Sequence, residues 1–294
     1  MRSLLSRSLN RKAPLPGVFA GMSAGDMRVF QEILYAQSGI VLKDSKRSLV
    51  ESRVAQRLRA LNMHSYSQYL DYLQSGTPGD ELVHLIDVIS TNVTKFFREP
   101  DHFEILDESV ERWVADGRKQ LRFWSAACST GEEPYTMAMT LQPHQQRHDL
   151  DLKILATDIS TRVLAHAQTG HYAADRVASV PDELRARYFR SRFGSEQEAY
   201  VVADELKSLI LFRRLNFKKF PYPIKGAFDG IFCRNAMIYF DRDLRTRMVY
   251  EFAKLLRPGG ILMIGHSETL IGIEKKYRTI KPSVYERLND GVDG

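Results

Sequence analysis

Carboxylates stand at two places where an α/β protein can use them. Asp158 follows the apolar run Leu152–Thr157, and the pair Glu132-Glu133 closes a stretch of small residues, Ser125-Ala126-Ala127-Cys128-Ser129-Thr130-Gly131, that begins at the end of a second run, Leu121–Ser125. An acidic side chain just beyond a strand accepts hydrogen bonds from ribose hydroxyls in nucleoside-binding α/β sites. The small-residue loop lacks the G-x-G-x-x-G spacing that lets backbone approach a pyrophosphate, so NAD or FAD is disfavoured; a ligand without phosphates needs fewer glycines. Purely structural readings stand beside these. Asp158 could cap a helix beginning near Thr161, and Glu132 and Glu133 could be first-turn residues favoured by the helix dipole, with Pro134 in the same turn.

Other reactive residue types carry less. Cys128 and Ser129 have no histidine at a position that would make either a nucleophile, so small buried residues are expected there. His266 and Glu268 look like half a metal pair but lack a third ligand, and no metal is expected. Cys128 and Cys233 lie far apart in sequence, with no disulfide framework indicated, which fits a reducing cytoplasm. Phe96-Phe97 reads as a hydrophobic plug rather than a platform for stacked bases.

The elements that must position these residues fall into two groups. The runs Leu121–Ser125, Leu152–Thr157, Phe228–Cys233 and Ile261–Ile264 alternate with helical segments, which predicts a parallel, doubly wound sheet with its chemistry beyond the strands' carboxyl ends. Between residues 180 and 215 a helix over Pro181–Phe193 and two strand-like pieces, Ala199–Ala203 and Ser208–Arg214, predict a small antiparallel excursion from that sheet. Residues 23–91 read as helical. Ser23 is the expected first cap, Met27, Phe30, Ile33 and Leu34 recur at helical spacing, and Gly39 stops the run. A second helix from about Asp44 carries the stripe Val50, Val54, Leu58 and Leu61; Lys46, Arg53 and Arg57 stack along one edge of it as a cationic ridge. Helices over Ser67–Leu73 and Gly79–Ser90 follow, joined by the turn Gly76-Thr77-Pro78-Gly79.

The whole-chain numbers agree with two domains of an ordinary globular protein: 294 residues, 44% hydrophobic and 27% charged. No apolar run approaches the roughly 20 residues that span a bilayer. Residues 1–22, with Arg2, Arg7, Arg11 and Lys12 among Ser and Leu, read as a disordered tail without the apolar block of a secretory signal. The net charge of +6 admits an acidic partner.

The four stretches Thr91–Pro100 (TNVTKFFREP), Trp124–Tyr135 (WSAACSTGEEPY), Ala156–Ile159 (ATDI) and Ile231–Asp241 (IFCRNAMIYFD) resemble the hallmark blocks of the CheR family, in family order and spacing. The resemblance runs over roughly residues 25–287. It implies an α/β fold: a class I S-adenosylmethionine (SAM) methyltransferase domain over 121–290, with a Rossmann-like doubly wound sheet and an antiparallel β-subdomain inserted at about 180–215. An all-α N-terminal domain, 23–91, and an interdomain segment, 92–120, precede it. The implied reaction methylates glutamate side chains of chemotaxis receptors and leaves S-adenosylhomocysteine.

Carried over by position, the resemblance assigns Asn92, Thr94 and Arg98 to the cofactor from the interdomain segment. Glu133, Asp158 and Ile159 take its amino-acid and adenosine parts, Ala126 and Ala127 allow close backbone approach, and Asn216, Phe217, Asn235 and Ala236 add contacts. Whether Glu132 or Glu133 makes the direct contact stays open. Arg98 and Tyr239 are the expected catalytic residues, and Lys46, Arg53 and Arg57 the expected surface for glutamate-rich receptor helices. A cytoplasmic monomer that binds no nucleic acid and no metal is implied. An RNA or other protein methyltransferase, or a SAM-binding module without activity, are the alternatives. Cys128 and Ala236 are mild departures from the commonest pattern.

A glutamate carboxylate, with an ordinary pKa of about 4.3, is already a nucleophile at neutral pH, so methyl transfer from a sulfonium needs no general base. Alignment of the reacting atoms is then the main demand on the protein.

Overall fold

The first helix, α1 (Ala24–Ser38), starts at a reciprocal cap: Ser23 Oγ accepts from the Asp26 N–H at 3.0 Å and the Asp26 carboxylate accepts from the Ser23 N–H at 2.9 Å. It is seen in a computed structural model that describes residues 19, 21–76, 80–90, 92–192, 199–270 and 276–289. The basic tail before Phe19, residues 77–79 of the expected turn, and Thr91 lie outside the described residues. Met22, assigned to the tail by sequence, is buried, and its N–H donates to Glu51 at 2.9 Å.

The chain divides into two units, one comprising residues up to Ile33 together with Lys43–Ile89, the other Leu34–Leu42 together with residues from Ser90 onward. The first unit holds most of α1, a 3-10 turn at Asp44–Lys46, α2 (Arg47–Ala60), α3 (Tyr66–Gln74) and α4 (Glu81–Ile89). Val50, Val54 and Leu58 of α2 are buried, as their spacing predicts, with Tyr69, Leu70, Leu85 and Ile86 from the neighbouring helices. The segment Leu34–Leu42 was expected in the helical domain. Its bonds lie instead with the second unit: the Val41 N–H donates to the Tyr239 carbonyl at 2.8 Å and Tyr35 donates to Asp241 at 2.6 Å.

The second unit continues with α5 (Asp101–Ala115), β1 (Gln120–Ala126), α6 (Glu132–His148), β2 (Asp151–Asp158), α7 (Thr161–Thr169), β3 (His171–Ala173), α8 (Ala174–Val177), α9 (Asp182–Tyr188), β4 (Phe189–Arg192), β5 (Ala199–Val202), α10 (Asp204–Lys207), β6 (Ile210–Arg214), β7 (Phe228–Cys233), α11 (Arg242–Leu255), β8 (Leu256–Ile264), β9 (Tyr277–Lys281) and β10 (Val284–Arg287). Seven strands form the main sheet in the order β6-β2-β1-β7-β8-β10-β9, the first five parallel and the last two antiparallel. All six residues of β7 are buried, as a strand covered on both faces requires. No described helix is long and apolar enough to cross a membrane.

Two expectations are corrected. Residues 210–214 do not belong to the antiparallel excursion; β6 pairs in parallel with β2, Ile154 opposite Ile210. The alternation that marks β6 as a strand is real, with Phe212 buried and Leu211 exposed, but alternation names a strand and not its partner. The helix expected over Pro181–Phe193 ends at Tyr188, and Phe189–Arg192 pairs with Ala199–Val202 in a three-stranded sheet ordered β3-β5-β4. Phe96 explains where that sheet sits. Its ring is fully buried and meets Tyr172 and Phe189 edge-on, at centroid distances of 4.9 and 5.5 Å.

Candidate active site

The loop after β1 turns sharply. Ala127 and Ser129 have left-handed φ of 74° and 50°, and Gly131 has a φ of 100°. A Cβ on Gly131 would stand 2.7 Å from the Tyr172 hydroxyl and 2.9 Å from the Ala167 methyl, so glycine lets α6 start against α7. The Ala127 and Cys128 N–H groups both donate to the Thr157 carbonyl at 2.8 Å, which ties this loop to the end of β2. The Cys128 thiol is buried beside Asp158 and Glu133, and burial first, then those carboxylates, pushes its pKa well up. It is the inert small residue that the sequence suggested.

Asp158 sits at the end of β2 with one carboxylate oxygen accepting from the Ser129 N–H at 2.9 Å and the other from the Ser160 N–H at 3.0 Å. It does not cap α7; Ser160 does, its hydroxyl accepting from the Val163 N–H. The two adjacent glutamates diverge. Glu132 is fully buried and turns to Thr130, at 2.6 Å, and to the guanidinium of Arg176. Glu133 accepts from the Ser125 hydroxyl and from Arg234 Nε, each at 2.7 Å.

Arg234, in the loop after β7, is a junction that sequence reasoning passed over. Besides Glu133, its guanidinium donates to the Arg98 carbonyl at 2.6 Å, lies 3.4 Å from Glu99 and 3.2 Å from His102 Nδ1, and covers the rings of Phe103 and Phe232. Glu99 in turn accepts from Asn235 Nδ2 at 3.4 Å and from the His266 N–H at 3.2 Å. The segment around Arg98, the first turn of α6 and the loops after β7 and β8 are thereby joined by charge-assisted bonds.

Glu268, read from sequence as half a metal pair, is an anchor. Its buried carboxylate accepts from the Gly265, Asn235 and Ile238 N–H groups at 2.7, 2.9 and 3.2 Å. Burial raises its pKa while those N–H groups oppose the rise. The loop it holds carries Asn235, at a φ of 56°, and Tyr239 at the end of a 3-10 turn. A Cβ on Gly265 would run into the Asn235 side chain, so this close approach also requires glycine.

The remaining expected cofactor residues belong to this unit as well. Arg98 donates to the Val93 carbonyl at 2.9 Å, and the Asn92 carbonyl accepts from Ser129 Oγ at 3.2 Å. Asn92 Nδ2 is buried without a hydrogen-bond partner. Asn216 donates to the Gln37 carbonyl at 2.7 Å; Phe217 is buried, Ala126 and Ala236 are buried, and Ala127, Ile159, Thr94 and Tyr239 are half-buried. The ridge residues lie in the first unit, and two of them are tied within it. Arg57 makes two bonds to buried Glu81, at 2.8 and 2.7 Å, and Arg53 donates to the Ile89 carbonyl at 2.6 Å. Lys46 is exposed.

Two family models match the chain. Residues 92–285 match the family model "CheR methyltransferase, SAM binding domain" and residues 25–90 match "CheR methyltransferase, all-alpha domain". The chemotaxis protein methyltransferase of Borreliella burgdorferi is 38% identical over 263 residues, 87% of this chain and 92% of that protein. Chemotaxis protein methyltransferase 2 of Pseudomonas aeruginosa is 39% identical over 260 residues, 88% and 92% of the two chains. That of Escherichia coli K12 is 36% identical over 269 residues, 92% and 93%.

Proposed function

The chain belongs to the CheR methyltransferase family and is a SAM-dependent methyltransferase of chemotaxis; from that premise we propose that it forms γ-methyl esters on glutamate side chains of a chemotaxis receptor's cytoplasmic helices. One observation carries the reading: similarity to chemotaxis protein methyltransferases spans 92% or more of each of three relatives. On this reading the protein works as a cytoplasmic monomer at membrane-associated receptor arrays.

The chemistry of the lining suits SAM. When bound, SAM supplies a methyl group on a cationic sulfonium. Carboxylates at Asp158 and Glu133, each fixed by hydrogen-bond donors, would repel a phosphate and accept from an ammonium and from sugar hydroxyls. The buried Asn92 amide is a donor that a ligand acceptor would satisfy. Ala126, Ala127 and Ala236 keep side-chain bulk low, and Ile159, Thr94, Asn216, Phe217 and Asn235 complete the proposed cofactor set. Glu133 rather than Glu132 is the proposed contact, since Glu132 is fully buried and turned to Arg176 while Glu133 keeps some exposure.

Arg98 has one N–H on the Val93 carbonyl; in the proposed mechanism the rest of its planar fork orients the incoming glutamate carboxylate. The Tyr239 hydroxyl holds that carboxylate in register. With SAM and a glutamate side chain bound, the methyl group would pass from sulfur to the carboxylate oxygen, leaving neutral S-adenosylhomocysteine sulfur, and no residue here would need to take a proton. Holding the three atoms in line can contribute on the order of 7–11 kcal/mol.

Incubation with methyl-labelled SAM and receptor-enriched membranes tests the proposal, with total RNA as a parallel substrate. Label should enter the receptor, leave as methanol in alkali, and vanish when the receptor's glutamates are replaced by alanine. Label in RNA, or base-stable label in protein, would overturn it.

A further inference from the structure

Away from the cofactor loops, two histidines and two carboxylates converge between α5 and α6. Asp107 and Glu111 are one turn apart on α5, and His144 and His148 one turn apart on α6, so each helix presents its pair on one face. The His144 ring is 3% exposed, with Nε2 2.6 Å from Asp107 and Nδ1 3.2 Å from Glu111. His148 Nε2 lies 4.0 Å from the other oxygen of Glu111. Neither His144 Nδ1 nor His148 Nε2 has a hydrogen-bond partner, and both atoms are buried. One donor atom each from Glu111, His144 and His148 lies within 4.8 Å of the others.

The tautomer follows from Asp107. A carboxylate accepting the Nε2–H leaves the Nδ1 lone pair facing a second carboxylate, an arrangement that repels unless a positive charge lies between them. Arg147 donates to Glu111 at 2.9 Å from the exposed side, and Lys119 Nζ bonds the His148 carbonyl rather than the cluster. We propose that Glu111, His144 and His148 bind a divalent late transition-metal ion, zinc in the first instance, with Asp107 holding His144 in the ligating tautomer. Imidazole nitrogens with one carboxylate are a zinc-type set that leaves a position for water, and a carboxylate on the far ring nitrogen is the usual support for a ligating histidine.

A second cluster, Glu99, His102 and His266, is different. There the Arg234 guanidinium, 3.2 Å from His102 and 3.4 Å from Glu99, already supplies the positive charge. The proposed site lies along α6 from Glu133 by about 16 Å, at 1.5 Å per residue. Its ion would therefore brace α5 against α6 and take no part in methyl transfer.

The test uses the untagged full chain, stripped with a chelator and dialysed. Calorimetry with zinc chloride should show saturable uptake of one ion per chain, and cobalt(II) should give visible ligand-field bands that zinc abolishes. Magnesium and calcium should give no heat. A hundredfold excess of zinc over its dissociation constant should raise Tm by about 4 °C or more. His148→Asn and Glu111→Gln should each weaken zinc binding at least tenfold, leave the metal-free Tm within about 2 °C of the parent, and leave methyl transfer unchanged. Absence of stoichiometric uptake would overturn the proposal. Undiminished uptake in the combined His148→Asn/Glu111→Gln variant would overturn it too, placing the ion elsewhere.

Discussion

The guanidinium of Arg234 and the carboxylate of Glu133, 2.7 Å apart and both nearly buried, join the loop after β7 to the first turn of α6. The same guanidinium holds the Arg98 carbonyl. Removing it would strand a buried carboxylate, which costs about 3–5 kcal/mol, whereas removing both charges costs much less. Arg234→Met should therefore shift the urea midpoint far down, and Arg234→Met/Glu133→Gln should recover the part of the loss that comes from the stranded Glu133. A double variant as unstable as the single one would show that the pair is not the reason.

Asp158 fixes two backbone N–H groups of neighbouring loops, one with each oxygen, so a test of its proposed cofactor contact needs a separate stability readout. Asp158→Asn removes the charge and keeps one acceptor oxygen, but its amide nitrogen would face the second N–H, so Tm should fall as well. Charge-assisted bonds are worth roughly 1.5–3 kcal/mol, so S-adenosylhomocysteine should bind at least tenfold more weakly to this variant by calorimetry run well below its Tm. Parent-like affinity in both Asp158→Asn and Asp158→Ala would remove the residue from the cofactor set.

His102 makes stability depend on acid. Burial, reinforced by Arg234, holds its pKa down from 6.5 to about 4 against the pull of Asp101 and Glu99. Arg234 can only donate, so Nδ1 accepts and the Nε2–H goes to Ser283 Oγ, 2.8 Å away. The unfolded chain takes up this proton near pH 6.5 and the folded chain near 4. The stability at stake is intact above 6.5, falls as pH drops through that window, and is flat below it. At about 1.4 kcal/mol per unit the loss is roughly 3 kcal/mol. His102→Gln keeps an acceptor for Arg234 and a donor for Ser283, and should flatten the denaturation free energy between pH 6.5 and 4. An unaltered slope would put the acid sensitivity elsewhere.

In the helical unit, Arg57 is bound to Glu81, whose side chain is 4% exposed and also accepts from Tyr69 at 2.6 Å. Arg57→Glu should destabilise this unit by about 3–5 kcal/mol, so lost receptor methylation in that variant would say nothing about docking. Lys46→Glu is the cleaner probe of a receptor-facing ridge. It should raise the Michaelis constant for receptor, more at low salt than at high, and leave cofactor affinity alone. An unchanged constant at low salt would remove Lys46 from the substrate surface.

What the sequence showed, and what it hid, follows one line. The Ser23 cap, the helix start at Thr161 and the four parallel strands were legible because capping and period are local signals. β4 was read as helix because the chain passes from Tyr188 into Phe189 with no glycine or proline to mark the change. β9 and β10 were not expected at all; each is short, and β9 keeps a single buried residue, Tyr277. Arg234 stood inside a quoted block, yet its partner Glu133 lies 101 positions away. A helical projection likewise gave Arg53 and Arg57 their edge but not their acceptors on α4. Long-range polar pairing is what one sequence conceals.

The absence of a general base is the last point open to test. Tyr239 is half-buried on a loop held by Glu268, and Arg98 is held through its side chain by the Val93 carbonyl and through its own carbonyl by Arg234. The backbone that carries each is anchored, and neither is assigned a proton to take. The single-turnover rate should therefore rise with ionisation of the substrate glutamate, near pH 4.3, and stay level through neutrality; work below pH 6.5 must be corrected for the stability lost through His102. Tyr239→Phe should lower the rate and keep the profile. Arg98→Lys keeps the charge but loses the planar fork, so it should bind S-adenosylhomocysteine and methylate poorly. A rate that climbs through neutral pH with one ionisation, and loses that climb in Tyr239→Phe, would make the tyrosine a base and the proposed mechanism wrong.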